Sequence, residues 1–365
     1  MDLSTKLAGR VELLNPLMIA SGPLTGSDQR IIEMSKFHPG AIATKTISAK
    51  EPVLFHPFMY GEKAFIMNAE PWSEYPPDIW EGQFFPNIKE NVSQPVFISL
   101  GYSDNDMRFL IPKFDRYADA FELSTHYVGK DLNPIKNTLQ MVRKLTDKPV
   151  YMKISPHFPD PVAFAKMVME NGGNGIVAMN SLGPSMKIDL ADRKVKLGNS
   201  SGEVWMSGPS VKPVALALIH KIKEAVPECE IIGVGGVESA EDVLEFLLAG
   251  ASAVQMLSAA LINGKDLYQK IVEALPKALE KYKFNSVNEV IHTGLDTSTG
   301  NVQITYPEID DEMCVKCGLC KKVCPFFAID NKEGTYNVDK TVCMGCGLCQ
   351  SRCPKQAIHK IYDRK

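Results

Sequence analysis

Eight of the nine cysteines fall into two copies of one pattern, C-x2-C-x2-C-x3-C-P. The copies are Cys314, Cys317, Cys320, Cys324-Pro325 and Cys343, Cys346, Cys349, Cys353-Pro354. Thiolates at this spacing hold [4Fe–4S] clusters, and the fourth cysteine of each run crosses to the other run's cluster. Cys353 is therefore expected to join Cys314, Cys317 and Cys320, and Cys324 to join Cys343, Cys346 and Cys349. Four-cysteine zinc sites instead pair two short CxxC units across a longer gap, whereas here three ligands come from one tight turn. Disulfides need an oxidising compartment. Met1-Asp2-Leu3 begins neither a basic nor an apolar segment of the kind that directs export, so a cytoplasmic protein is expected. Cys229 stands alone and reads as an ordinary thiol. Electron transfer is part of the function on this spacing alone.

The chain that must position these thiols has 365 residues, enough for one large domain and a small one. Its net charge of −3 carries no nucleic-acid footprint. No apolar run is long enough to cross a bilayer. Residues 1–284 alternate β-branched runs with helical stretches. The strand candidates are 17–20, 41–46, 96–100, 120–123, 150–154, 175–179, 230–234 and 253–256. Helical patterns such as 161–170, 213–225, 240–249 and 267–283 separate them. This reads as an α/β fold, a (β/α)8 TIM barrel, with a doubly wound open sheet as the competing arrangement. Residues 285–307 read as a weakly patterned connector. In residues 308–365 the two cysteine runs repeat at an offset of 29 residues, and Cys-Gly-Leu-Cys occurs in both. This is a small α+β two-cluster ferredoxin-like domain, expected to be held together by its clusters. Its ten Lys/Arg against eight Asp/Glu give no steer on a redox partner.

Barrel active sites lie at the C-terminal ends of the strands, and the loops after strands 7 and 8 often bind phosphate. Ser21, Lys45-Thr46, Ser124, Lys153 and Asn180-Ser181 fall at such ends, as do Gly235-Gly236 and Leu257-Ser258. The glycine pair reads either as a phosphate cradle or as a plain turn with Ser239 capping the next helix. Lys153 reads either as a salt-bridge partner or as a charge that stabilises the reduced flavin edge. Gly233–Glu238 lacks the last glycine of the dinucleotide fingerprint. Clusters pass single electrons, so a barrel cofactor that also delivers a hydride is a flavin. An FMN barrel wired to two [4Fe–4S] clusters is the expected assembly.

The same residues resemble the class 1 dihydroorotate dehydrogenases, and still more the FMN and iron–sulfur half of dihydropyrimidine dehydrogenase. The resemblance is carried by 15–22 (Asn-Pro-Leu-Met-Ile-Ala-Ser-Gly), Thr44-Lys45-Thr46, Met152–Pro156 and Asn180–Gly183. It continues through Ser207–Pro213, Ile232–Gly236 and Asp311–Cys314. It implies flavin contacts from Ala20, Ser21, Lys45, Thr46 and Lys153. It implies a ribityl-phosphate site of Ser207, Gly208, Gly235, Gly236, Leu257 and Ser258, and a substrate-ring site of Asn68, Asn180 and Ser181. It also implies a homo-dimer. Where the family reads Asn-x-Ser-Cys-Pro-Asn, this chain reads Ser124-Thr125-His126-Tyr127-Val128-Gly129, so the substrate-touching asparagine is Ser124 and the catalytic cysteine is Tyr127. After Asn68 the family's Ser-Met-Gly is replaced by Ala69-Glu70-Pro71-Trp72.

The reading that follows is a flavin- and iron–sulfur-dependent oxidoreductase that reduces or forms a C=C bond beside a carbonyl. Tyr127 is the first candidate for the proton donor, since a phenol stays protonated at neutral pH. His126 is the second, and Tyr127 as a packing residue under its loop is the competing account. The substrate is an unsaturated carbonyl compound or a pyrimidine. The redox partner is a ferredoxin, a flavodoxin or an NAD-linked flavoprotein subunit. Alternatives are a dihydropyrimidine dehydrogenase subunit acting on uracil or thymine beside a separate NAD/FAD subunit, and an electron-transfer module without substrate chemistry. An aromatic loop with Trp72, Tyr75, Trp80, Phe84 and Phe85 reads as a lid or an interface.

Overall fold

The computed structural model describes residues 1–362 apart from 51–52, 54–55, 71, 102, 199–200, 298–302 and 333. They form two compact units, Met1–Leu295 and Asp296–Lys365.

In the first unit eight parallel strands close into a barrel. In chain order they are Leu17–Ile19, Ala41–Ala43, Val96–Leu100, Ala120–Leu123, Val150–Lys153, Gly175–Ala178, Glu230–Val234 and Ala253–Met256, here called barrel strands 1 to 8. All eight coincide with the runs expected from the sequence, to within three residues at their ends. Alternation along each strand sorts side chains to opposite faces. Met18, Phe97, Ala120, Tyr151, Val177, Ile232 and Ala253 pack together inside the barrel, with Leu7, Val11 and Leu13 from the hairpin Thr5–Leu7/Val11–Leu13. Their chain neighbours Leu17, Ile19, Ile98, Phe121, Val150, Met152, Ile176, Ile231 and Val254 belong instead to the large core shared with the helices. Two residues further along the inward row, the apolar filling gives way to Ser99, Glu122, Lys153 and Gln255. That change of polarity creates the site.

Two excursions leave the barrel. After strand 2 the chain forms the hairpin Met59–Glu62/Phe65–Asn68, and after strand 6 it forms Leu182–Ser185 and Val204–Ser207. These four strands pair into one antiparallel sheet, with Asn68 opposite Trp205 and Ile66 opposite Ser207. Much of the aromatic stretch is helical and packed. Three helical segments follow without a break, Pro77–Ile79, Trp80–Phe84 and Phe85–Asn91. Trp80, Phe84 and Phe85 are buried in the barrel core. The Trp80 indole N–H donates to Ser73 Oγ at 2.8 Å, and its ring meets Phe84 edge-on with centroids 5.1 Å apart. Pro71 of this stretch lies outside the described residues. Part of the expected connector is also structured: Val287–Thr293 is a helix, capped by Ser286 accepting from Glu289 N, and its Val287 and Val290 are buried in the same core.

The second unit repeats one device twice. Helices Leu319–Val323 and Leu348–Ser351 each begin after the glycine of Cys-Gly-Leu-Cys, and Gly318 and Gly347 hold left-handed φ values of 73° and 80°. Only glycine takes that conformation without steric penalty. The hairpin Ile329–Lys332/Thr335–Val338 and the short pair Glu308–Ile309/Ile358–His359 complete the unit. Its apolar core is small and includes Ile329 and Ile358 with Cys349. Among the described residues, no helix is long and apolar enough to cross a membrane.

Trp80→Ala deletes the largest fully buried side chain of the first unit. It is expected to cost about 3–5 kcal/mol, read from the denaturant midpoint of the barrel unit.

Candidate active site and cluster sites

A cavity of ≈ 520 Å³ opens at the C-terminal ends of the barrel strands. Its size is that of a small-molecule or cofactor site. Ala20, Ser21, Lys45, Thr46, Lys153, Ser207, Gly208, Gly235, Gly236, Leu257 and Ser258 all line it, as do Asn68, Ser124, Asn180, Ser181 and His126. Tyr127 does not line it. Its hydroxyl donates to Asp131 O and its ring lies 6.3 Å from that of Phe158, against the core. The reason is local. His126 adopts a left-handed φ of 52°, which turns the loop so that residue 126 faces the cavity and residue 127 faces away. The structure thus corrects the placement of Tyr127 and leaves His126 as the titratable group of that loop at the cavity.

His126 Nε2 lies 2.9 Å from Asn180 Nδ2, and its ring meets Trp72 edge-on at 4.9 Å between centroids. Burial, with the Lys153 charge behind it, pushes the imidazole down to about 4. A neutral ring with Nε2 accepting from the Asn180 amide satisfies both groups. Asn180 Oδ1 accepts from Ser181 N at 2.8 Å, and Asn68 Oδ1 accepts from Glu70 N at 2.5 Å. Each asparagine therefore has its oxygen tied to its own chain. The N–H side of Asn68 is left for a ligand, and that of Asn180 meets His126 and Ser124 Oγ.

Sequence reasoning missed two polar residues beneath these. Glu122 is fully buried; one of its oxygens accepts from Lys153 Nζ at 3.0 Å and the other from Gln255 Nε2 at 2.8 Å. The signal was available: a carboxylate inside an otherwise apolar barrel strand is rare unless paired. Gln255 lines the cavity, and its Oε1 is buried without a partner among the described residues. Lys153 is a salt-bridge partner of Glu122 and also lines the cavity. Ser21, Thr46 and Ser99 form a hydroxyl chain at 3.0 and 2.9 Å.

At the far end of the cavity, Gly208, Gly235 and Gly236 hold φ values of 106°, 128° and 88°. A Cβ on Gly236 would come 2.7 Å from Lys212 Cβ and 2.9 Å from Gly208 O. Ser207 Oγ lies 2.7 Å from Ser258 Oγ beside them. Ser239 accepts from Asp242 N and caps helix Ala240–Leu248, and Gly235 and Gly236 precede it in the same loop. Bare backbone, paired hydroxyls, an orphaned acceptor at Gln255 and a lysine at the opposite end are a donor set that fits a phosphorylated flavin.

These features have a counterpart in known proteins. The dihydroorotate dehydrogenase family matches residues 2–279, and a 4Fe-4S dicluster domain matches residues 307–360. The chain belongs to the dihydroorotate dehydrogenase family. It is 30% identical over 302 residues to the dihydroorotate dehydrogenase B (NAD(+)) catalytic subunit of Pyrococcus furiosus, covering 80% of this chain and 98% of that protein. The subunit of the same name from Oceanobacillus iheyensis is 42% identical over 202 residues, covering 52% of this chain and 65% of that protein. As a member of the dihydroorotate dehydrogenase family, the chain is an FMN-dependent oxidoreductase acting on CH–CH bonds, with an iron–sulfur domain.

In the second unit, Cys314, Cys317, Cys320 and Cys353 line one cavity, and Cys324, Cys343, Cys346 and Cys349 line another. The grouping follows the crossed pattern expected from the spacing.

Gly236→Ala places a methyl group against Lys212 and Gly208 at a φ that disfavours it. The purified variant is expected to retain well under half of the wild-type flavin, measured by absorbance of the denatured eluate.

Proposed function

We propose that the chain interconverts a C–C single and a C=C double bond beside a carbonyl, exchanging the electrons with a redox partner through two [4Fe–4S] clusters. The observation that carries this reading is the cavity itself, where flavin-type residues, two oriented asparagines and a buried imidazole meet. When bound, FMN supplies hydride chemistry to the substrate and single-electron chemistry to the clusters. Ser207, Gly208, Gly235, Gly236, Leu257 and Ser258 would hold its phosphate end, and Lys45, Thr46, Ala20, Ser21 and Lys153 its ring. Gln255 Oε1 is the natural acceptor for a ring N–H. Glu122 holds the Lys153 ammonium in place at the cavity.

The substrate's carbonyl is taken by the Asn68 amide N–H, with Ser181 and Ser124 completing the polar wall. His126 moves the proton. When the double bond forms, neutral Nε2 takes the proton from the carbon next to the carbonyl. When the bond is reduced, the imidazolium returns it to the same carbon. A neutral imidazole is ready to accept without prior deprotonation; its one Nε2 lone pair takes the Asn180 N–H in the structure, so bound substrate must first displace that amide. Tyr127 has no part in this scheme. One cluster is assigned to Cys314, Cys317, Cys320 and Cys353, the other to Cys324, Cys343, Cys346 and Cys349. The named relatives are NAD-linked catalytic subunits, which supports a separate flavoprotein as electron partner. The oriented asparagines speak against a module that only relays electrons.

The test is anaerobic reoxidation of the dithionite-reduced holoprotein by uracil, thymine, orotate and cyclic enones. Oxidation of flavin by at least one panel member supports the reading; no oxidation by any of them counts against it. His126→Gln is expected to lower turnover by about 10²–10³-fold with flavin content unchanged, while Tyr127→Phe stays within about threefold of wild type. In the direction that forms the double bond, wild-type turnover is expected to fall as pH drops through about 4, because protonated His126 no longer accepts. Equal losses in the two variants would return Tyr127 to the mechanism. Cys353→Ala is expected to disturb the cluster of Cys314, Cys317 and Cys320 and to leave the other cluster's EPR signal in place. Loss of the signal assigned to Cys324, Cys343, Cys346 and Cys349 instead would refute the crossed assignment.

A further inference from the structure

One wall of the cavity carries a charge arrangement whose carboxylates the proposed chemistry does not use. Lys45 Nζ lies 2.7 Å from Glu70 Oε1 and 2.9 Å from Glu74 Oε1. Both are ion-pair contacts, so the cluster is held by charge. The Lys45 and Glu70 side chains are both 3% exposed, and both line the cavity. Glu74 stands behind them and is shared with Arg30 at 3.9 Å. The other lysine of the lining, Lys153, is matched by Glu122. Among the described residues of the lining, then, no lysine is without a carboxylate partner, and Lys45 has two.

Glu70 also belongs to the segment that orients the substrate-binding amide, since its own N–H fixes Asn68 Oδ1. A ligand carbonyl held by Asn68 therefore shares the cavity with the Glu70 carboxylate. In a cavity of low polarisability two like charges repel by more than they would in water. A ligand carboxylate there would meet Glu70 without a free cation to receive it. An uncharged amide or ketone meets no such penalty and can donate an N–H toward the carboxylate.

We propose that Glu70, held by Lys45 and Glu74, makes the cavity select uncharged cyclic amide or carbonyl compounds and turn away those that carry a carboxylate. This deepens the functional reading above and rests on its placing of the substrate in this cavity. It also separates the chain from relatives named for dihydroorotate, which is itself a carboxylate.

The experiment titrates the FMN-loaded full-length chain with matched pairs and reads the shift of the flavin absorbance band. One pair is uracil and orotate, the same ring without and with a carboxylate. The other is 2-cyclohexenone and its ring-carboxylated counterpart. For wild type, at least one neutral member binds at least about tenfold tighter than its carboxylated partner. In Glu70→Gln, which keeps the shape and removes the charge, the carboxylated member gains about tenfold or more while the neutral one changes by less than about threefold. Glu74→Gln, whose carboxylate is outside the lining, shows a smaller gain in the same direction. It guards against a reading based on misfolding, as do equal flavin content and equal melting temperature. A Glu70→Gln protein with unaltered selectivity, or with equal gains for both members, overturns the proposal. If no member perturbs the flavin of either protein, the placing of the substrate fails and the proposal falls with it. Neutral binding without a switch of selectivity defeats the proposal alone.

Discussion

A carboxylate with no solvent exposure sits in the middle of this barrel, and Lys153 lies beside it. Taking Glu122 and Lys153 out of water is costly, and their attraction offsets that cost only where the geometry is good and the remaining lone pairs are satisfied. Gln255 supplies the second hydrogen bond to Glu122. The three residues come from barrel strands 4, 5 and 8, so closing the barrel is what brings them together. Once paired, they hold the Lys153 ammonium at the mouth of the cavity and leave Gln255 Oε1 without a partner. The same ammonium helps to keep His126 neutral. The charge at the cavity and the lowered pKa of the His126 imidazole therefore share one buried ion pair.

The barrel supplies one side of the cavity, and the small antiparallel sheet supplies another. Asn68 and Ser207 lie on strands from two excursions far apart in the chain, and they are placed by the register that sets Trp205 opposite Asn68. A slip of one residue would point each side chain to the other face. Strand pairing outside the barrel thus determines where Asn68 and Ser207 enter the cavity. The neighbouring stretch, Ala69 to Glu74, then brings Glu70 and Trp72 to the same wall.

The second unit is built on a different principle. It buries few apolar side chains, and its two halves are organised around sulfur ligands. Gly318 and Gly347 turn the chain so that three thiols of a run face one cavity, and the fourth thiol arrives from the other run. Metal binding then doubles as folding energy for a unit whose core is too small to stand on apolar burial alone.

The eight strands and the crossed cysteine grouping could be read from the sequence, because each depends on local periodicity or fixed ligand spacing; the cavity-lining positions came from the resemblance to the family. Strand alternation even implied the inward direction of Glu122, although its partners could not be read. The direction of the strand-4 loop was decided only by the fold. A left-handed φ at His126 sends that side chain into the cavity and Tyr127 into packing, and backbone handedness at a single non-glycine residue leaves no periodic trace. The aromatic stretch from Tyr75 to Phe85 looked like a loop because its prolines break any helical pattern. Burial of Trp80 and Phe85 against the barrel makes it helical, which is a tertiary effect. Pairing of Lys45 with Glu70 and Glu74 joins two segments across a long hairpin excursion. Coulomb energy depends on distance in space and not on separation in sequence, so only the folded chain could show which charges meet.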